Sequence, residues 1–102
     1  KPIYITENGK SCHDEISADG HVHDTERINY INGYLKGLKK SVLEGTDVAG
    51  YFHWSLMDNF EWAYGYTERF GLTYVDYKTQ KRILKDSAYR YNEIIRTNGA
   101  DL

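Results

Sequence analysis

The chain has 102 residues, a formal net charge of −2 from thirteen Lys and Arg against fifteen Asp and Glu, 40% hydrophobic and 15% aromatic residues, and a single cysteine. This near-balance removes the electrostatic basis for a phosphate-rich partner, so no nucleic acid is expected, and no apolar run approaches the ~20 residues that a membrane-spanning helix needs. Lys1-Pro2-Ile3-Tyr4 does not form a signal peptide, and Cys12 alone makes no internal disulfide; both fit a cytoplasmic setting, although a secreted protein without staples would look the same.

Pro2-Ile3-Tyr4-Ile5-Thr6 is rich in β-branched and aromatic residues and runs into Asn8-Gly9, a strong turn pair, so it reads as a strand and a loop. Lys10 to His23 is polar and without period, an exposed connection. Asp24 is a good N-cap for an amphipathic helix on which Ile28, Ile31, Leu35, Leu38 and Val42 recur at steps of three and four until Gly45. Its outer face is assigned Lys36, Lys39, Lys40 and Glu44. Val48 to Met57 is almost continuously apolar, as expected of a strand buried on both faces. A long aromatic loop, Asp58 to Gly71, leads to a short strand at Leu72–Asp76, and Asp86-Ser87 offer caps for a last helix carrying Ala88, Tyr91, Ile94 and Ile95.

Strands alternating with helices predict an α/β fold with a parallel sheet. Two such strands have two open edges, and two helices cannot cover both faces of the sheet, so the expected unit is incomplete on its own.

Functional groups in α/β folds gather beyond the carboxyl ends of the strands. The first strand delivers Thr6-Glu7-Asn8-Gly9, where Glu7 is suited to act as nucleophile or base, or is simply a surface carboxylate before a turn. The second delivers Trp54 through Trp62, in which aromatic planes and carboxylates suit a sugar with apolar faces and hydroxyl edges; the alternative is an aromatic core under a loop. His53 reads as a satisfied core histidine, Glu68-Arg69 as an ion pair or helix-loop contact, and Asp58-Asn59 as a cap or brace of the loop through its own backbone. His13, His21 and His23 share a loop with Asp14, Asp19 and Asp24, but their spacing matches no structural zinc pattern and no metal is assigned.

Tyr4-Ile5-Thr6-Glu7-Asn8-Gly9, then Gly50-Tyr51-Phe52-His53-Trp54-Ser55-Leu56-Met57-Asp58-Asn59-Phe60-Glu61-Trp62, Gly65 through Leu72, and Lys85-Asp86-Ser87-Ala88-Tyr89 together closely resemble the C-terminal quarter of family 1 glycoside hydrolases, the β-glucosidase family. The resemblance implies the last two βα units, strands 7 and 8 with their helices, of a (β/α)8 TIM barrel, a fold that needs ~250 residues when complete. It places Glu7 on the catalytic nucleophile, Trp54 on the platform beneath the glycone, Glu61 on the carboxylate gripping two glycone hydroxyls, Trp62 on the indole donating to a third, and Phe70 on the aromatic lining near the hydroxymethyl group. Because Glu61-Trp62 stands where 6-phosphoglycosidases carry Ser with a Lys nearby, an unphosphorylated glycone is implied.

The implied reaction is retaining hydrolysis by two carboxyl groups, with no cofactor and a β-glucoside or related oligosaccharide as substrate. The family's acid/base glutamate lies in an Asn-Glu-Pro motif that is absent here, Pro2 being the only proline. The isolated chain is therefore expected to be nearly inactive. Its expected protein partners are the remaining barrel portion, or copies of itself joined through open strand edges.

Overall fold

A computed structural model describes residues 1–102. Strand β1 (Ile3–Asn8) is followed by helix α1 (Thr25–Leu43) and strand β2 (Val48–His53). The loop beyond β2 contains one 3-10 turn at Trp62–Tyr64 and leads to β3 (Thr73–Val75), β4 (Arg82–Leu84) and helix α2 (Asp86–Arg96). β1 and β2 pair in parallel as a two-stranded sheet, while β3 and β4 form a separate antiparallel hairpin. The molecule is a slab of 46 × 31 × 18 Å, whose thin dimension holds one sheet and one helical layer.

The core lies between the helices and one face of the sheet. Ile31 and Leu35 of α1 meet Ile94 of α2 and Leu72, just before β3, and Leu38, Tyr51, Ala88, Tyr91 and Leu102 pack around them. The helical stripe foreseen on α1 is correct at Ile31 and Leu35 but fades at Val42, which is 45% exposed near the end of the helix. Lys39 leaves the solvent face assigned to it: its Nζ donates to the carbonyl of Gly99 at 2.8 Å and ties α1 to the C-terminal turn.

The expectation of a second strand buried on both faces is overturned. β2 ends at His53, and its residues alternate: Tyr51 and His53 approach Tyr91 of α2, whereas Phe52 points away and is 58% exposed. Helices cover only one face, so the apolar residues of the other stay open. The strand foreseen at Leu72–Asp76 is shorter and has a partner. Asp76 Oδ1 accepts the amides of Lys78 and Thr79 at 3.0 and 3.2 Å, turning the chain so that Arg82-Ile83-Leu84 returns against Val75-Tyr74-Thr73.

The caps also differ from expectation. Asp24 occupies the N-cap of α1 but makes no side-chain cap bond there; Lys85 is the N-cap of α2, and Asp86 and Ser87 lie in its first turn. The Asp24 carboxylate accepts the Ser87 amide at 2.9 Å and the Ser87 hydroxyl, so one helix start caps the other.

Candidate active site

The carboxyl end of β1 is irregular. Ile5 pairs with Tyr51 and the next pair is Asn8 with His53, so three residue steps on β1 face two on β2. The extra step falls at Thr6-Glu7, as in bulges that redirect a side chain near a site. Glu7 is exposed at this point. The ladder then closes tightly: Trp54 N–H donates to the Asn8 carbonyl at 2.8 Å, and a methyl group at Gly9 would collide with the Trp54 carbonyl oxygen. A glycine is therefore required where β1 exits against β2.

Trp54 is joined to Ser55 by a cis peptide bond, and Ser55 N–H donates to the Phe70 carbonyl at 3.1 Å. The backbones of Asn8, Trp54 and Phe70 thus run in one hydrogen-bonded series beyond the sheet. Glu61 and Trp62 belong to a local turn closed by Glu61 N–H to Gly65 O at 2.7 Å; Glu61 is half-buried and Trp62 is 84% exposed. The backbone thus joins the residue after Glu7 to Trp54, and the residue after Trp54 to Phe70, whereas Glu61 and Trp62 lie in a separate turn. None of these five residues lines any of the three principal hollows of about 610, 590 and 600 Å³.

The aromatic loop is held by a buried carboxylate. Asp58 Oδ1 accepts Gly71 N–H at 3.0 Å and Lys85 Nζ at 2.7 Å, and its Oδ2 accepts Arg69 Nη1 at 2.6 Å and Val75 N–H at 3.3 Å. Lys85 reaches Asp14 as well, at 2.7 Å, and Asp14 pairs with Arg27 at 2.9 Å; Arg27 also binds Asp24. The bracing role read for Asp58 is met, through tertiary partners as well as nearby backbone. Arg69 serves Asp58 instead of the neighbouring Glu68, which faces His13 at 3.9 Å.

This network was not foreseen, although one trace of it is visible: Arg27 stands four residues before Ile31 and eight before Leu35, on the row that α1 buries. Also unforeseen is the clamp on Asn8, whose Nδ2 donates to Tyr30 Oη at 3.0 Å while Tyr51 Oη donates to its Oδ1 at 2.9 Å. Burial, reinforced by the neighbouring Tyr91 and Tyr30, pushes the Tyr51 phenol well above its usual range, so it remains a donor.

His53 is half-buried with both ring nitrogens shielded from solvent, but the expectation that it is satisfied fails: neither nitrogen has a hydrogen-bond partner. Desolvation, with Arg27 and Lys85 adding repulsion, lowers its pKa to about 4. His23 shows the opposite behaviour: hydrogen bonds to Asp86 at 2.6 Å and Asp19 at 2.7 Å raise its pKa to about 8. Both of its nitrogens are engaged, and no group of three or more His, Cys, Asp or Glu side chains is arranged to hold a metal ion.

The family model for glycosyl hydrolase family 1 matches residues 1–100. The chain belongs to glycosyl hydrolase family 1. It is 52% identical over 99 residues to β-glucosidase A of Thermotoga maritima, covering 97% of this chain and 22% of that relative. It is also 52% identical over 103 residues to a bifunctional β-D-glucosidase/β-D-fucosidase of Bifidobacterium breve, again 97% of this chain and 22% of the relative. The T. maritima β-glucosidase in complex with cyclophellitol superposes with a TM-score of 0.95 at 53% identity, over 96% of this chain and 22% of that structure. This family 1 chain thus spans about a fifth of its relatives' length and is a piece of their barrel.

Proposed function

We propose that residues 1–102 form the last two βα units, the seventh and eighth, of the catalytic barrel of a retaining β-glucosidase that hydrolyses terminal β-D-glucosyl residues. The observation that carries this reading is that the adjoining carboxyl ends of two parallel strands, joined by Trp54 N–H to the Asn8 carbonyl, carry Glu7 and Trp54. Catalytic groups of such barrels come from successive strand ends. The relatives' names and the cyclophellitol-bound β-glucosidase support the same substrate class.

In this mechanism Glu7 attacks the anomeric carbon, and the bond to the leaving oxygen breaks as a glycosyl ester forms. A second carboxyl group ~5 Å away, supplied from outside residues 1–102, protonates the leaving oxygen and then activates water to hydrolyse the ester. Trp54 stacks under the sugar, Glu61 accepts from two hydroxyls, Trp62 donates from its indole N–H, and Phe70 closes the apolar side. The exposure of Trp62 suits a rim residue that is covered only when the sugar and the rest of the barrel are in place.

The test combines this chain with the remaining barrel portion and a 2-fluoro-glucoside inactivator. A covalent adduct on Glu7, formed only in the mixture, is the expected result; an adduct on another carboxylate overturns the site.

One observation favours a second reading, that of a non-catalytic assembling piece. The sheet has only two strands, and Ile3, Tyr4 and Phe52 are 47%, 57% and 58% exposed on it. A monomer by light scattering across a wide concentration range would remove this reading.

A further inference from the structure

The pairing of β1 and β2 breaks over Thr6-Glu7, so the sheet itself does not define the direction in which Glu7 projects. The next fixed point is Asn8. Its carbonyl accepts Trp54 N–H at 2.8 Å, and both ends of its side-chain amide are bound, the nitrogen to Tyr30 of α1 at 3.0 Å and the oxygen to Tyr51 of β2 at 2.9 Å. Helix α1, strand β2 and the residue that follows β2 therefore converge on Asn8. Along a strand, neighbouring side chains point to opposite faces, and Asn8 faces the helical layer where Tyr30 and Tyr51 lie.

We infer that Asn8 is the positioning residue for Glu7: Tyr30 and Tyr51 lock the Asn8 amide from behind the sheet and so aim the carboxylate on its front. The geometry of each partner fits the task. Tyr51 is in register opposite Ile5, just before the irregular step, and Tyr30 comes from the first half of α1, so the bulge is gripped both from its own sheet and from the layer beneath. Losing either phenol leaves one half-buried end of the amide unpaired and lets residue 8 rotate, which moves Glu7 because the two are adjacent and Thr6-Glu7 falls between the register pairs that fix the strand. Asn8 touches no reacting atom in this scheme.

The inference rests on Glu7 as the attacking carboxylate, and the test separates the two. In the chain combined with the remaining barrel portion, Tyr51→Phe and Tyr30→Phe are expected to slow adduct formation by the 2-fluoro-glucoside about tenfold, with its dissociation constant unchanged. The double variant should be little slower than either single one, because both act through one amide. If the unsubstituted protein forms its adduct on Glu7 and the variants react at its rate, the positioning role is wrong. If the adduct lies elsewhere, the site assignment is wrong. A second measurement needs no catalysis: backbone 15N relaxation of Glu7 in the chain itself. Tyr51→Phe should lower its order parameter from about 0.85 towards 0.6 while α1 and α2 stay rigid; an unchanged value at Glu7, with the Asn8 amide released, also overturns the inference.

Discussion

The carboxylate of Asp24 accepts the Ser87 amide at 2.9 Å, so the first turn of α2 is capped by a residue 63 positions earlier in the chain. The same carboxylate neutralises buried Arg27. Asp24→Ala should cost about 3–5 kcal/mol, since it leaves a buried guanidinium short of a partner as well as an uncapped helix. Urea unfolding measures this, and an unchanged midpoint would contradict the coupling; Asp24→Asn, which keeps an acceptor for Ser87, should cost less.

Lys85 separates two buried carboxylates, Asp14 and Asp58, at 2.7 Å from each. Lys85→Met should destabilise the fold by about 3 kcal/mol. It should also speed hydrogen exchange at Gly71 and Val75, whose amides donate to Asp58. Exchange unchanged at both amides would mean that Asp58 holds the aromatic loop without Lys85.

His53 and His23 should give opposite pH signatures. The folded form holds His53 at about 4, below its ordinary 6.5, so the unfolded chain binds a proton that the native chain refuses. Stability from this residue is present above pH 6.5 and is lost as pH falls towards 4. His53→Leu should flatten the fall in melting temperature over that range; an identical fall in the variant would exclude His53 as its source.

His23 is raised to about 8 by Asp86 and Asp19, so its contribution is complete below pH 6.5 and disappears as pH rises through 8. His23→Ala should remove that alkaline loss. Thermal melts between pH 6 and 9 decide this, and equal slopes for both proteins would count against the clasp.

Trp54 and Trp62 are the only tryptophans, and Trp62 is 84% exposed. Emission of the chain alone should therefore be red-shifted and easily quenched by iodide. Combination with the remaining barrel portion should shift it to the blue, with Trp62→Phe removing most of the change. No shift in a verified complex would remove Trp62 from the covered wall.

The strand–helix–strand–helix order and the long motifs around Glu7 and Trp54 were legible because local pattern suffices for them: β-branched runs, a three-four apolar period, an Asn-Gly stop. The β3–β4 hairpin was not, since three-residue strands carry no period and Arg82-Ile83-Leu84 has no turn pair of its own. The buried charges were hidden for another reason. Asp14, Arg27, Asp58 and Lys85 look like surface residues singly, and only their convergence from separate loops and helices makes burial tolerable. His53 shows the reverse failure: its position in an apolar run gave the burial but not the missing partners.

Each strand of the β1–β2 sheet has a neighbour on one side only, which leaves two rows of peptide groups and a partly bare apolar face in a single molecule. By mass action, whatever adds to those rows stabilises the folded form in proportion to its own abundance. Melting temperature would then vary with concentration, as it would not for a closed monomer, and a dilution series becomes a direct thermodynamic reading of an unfinished sheet.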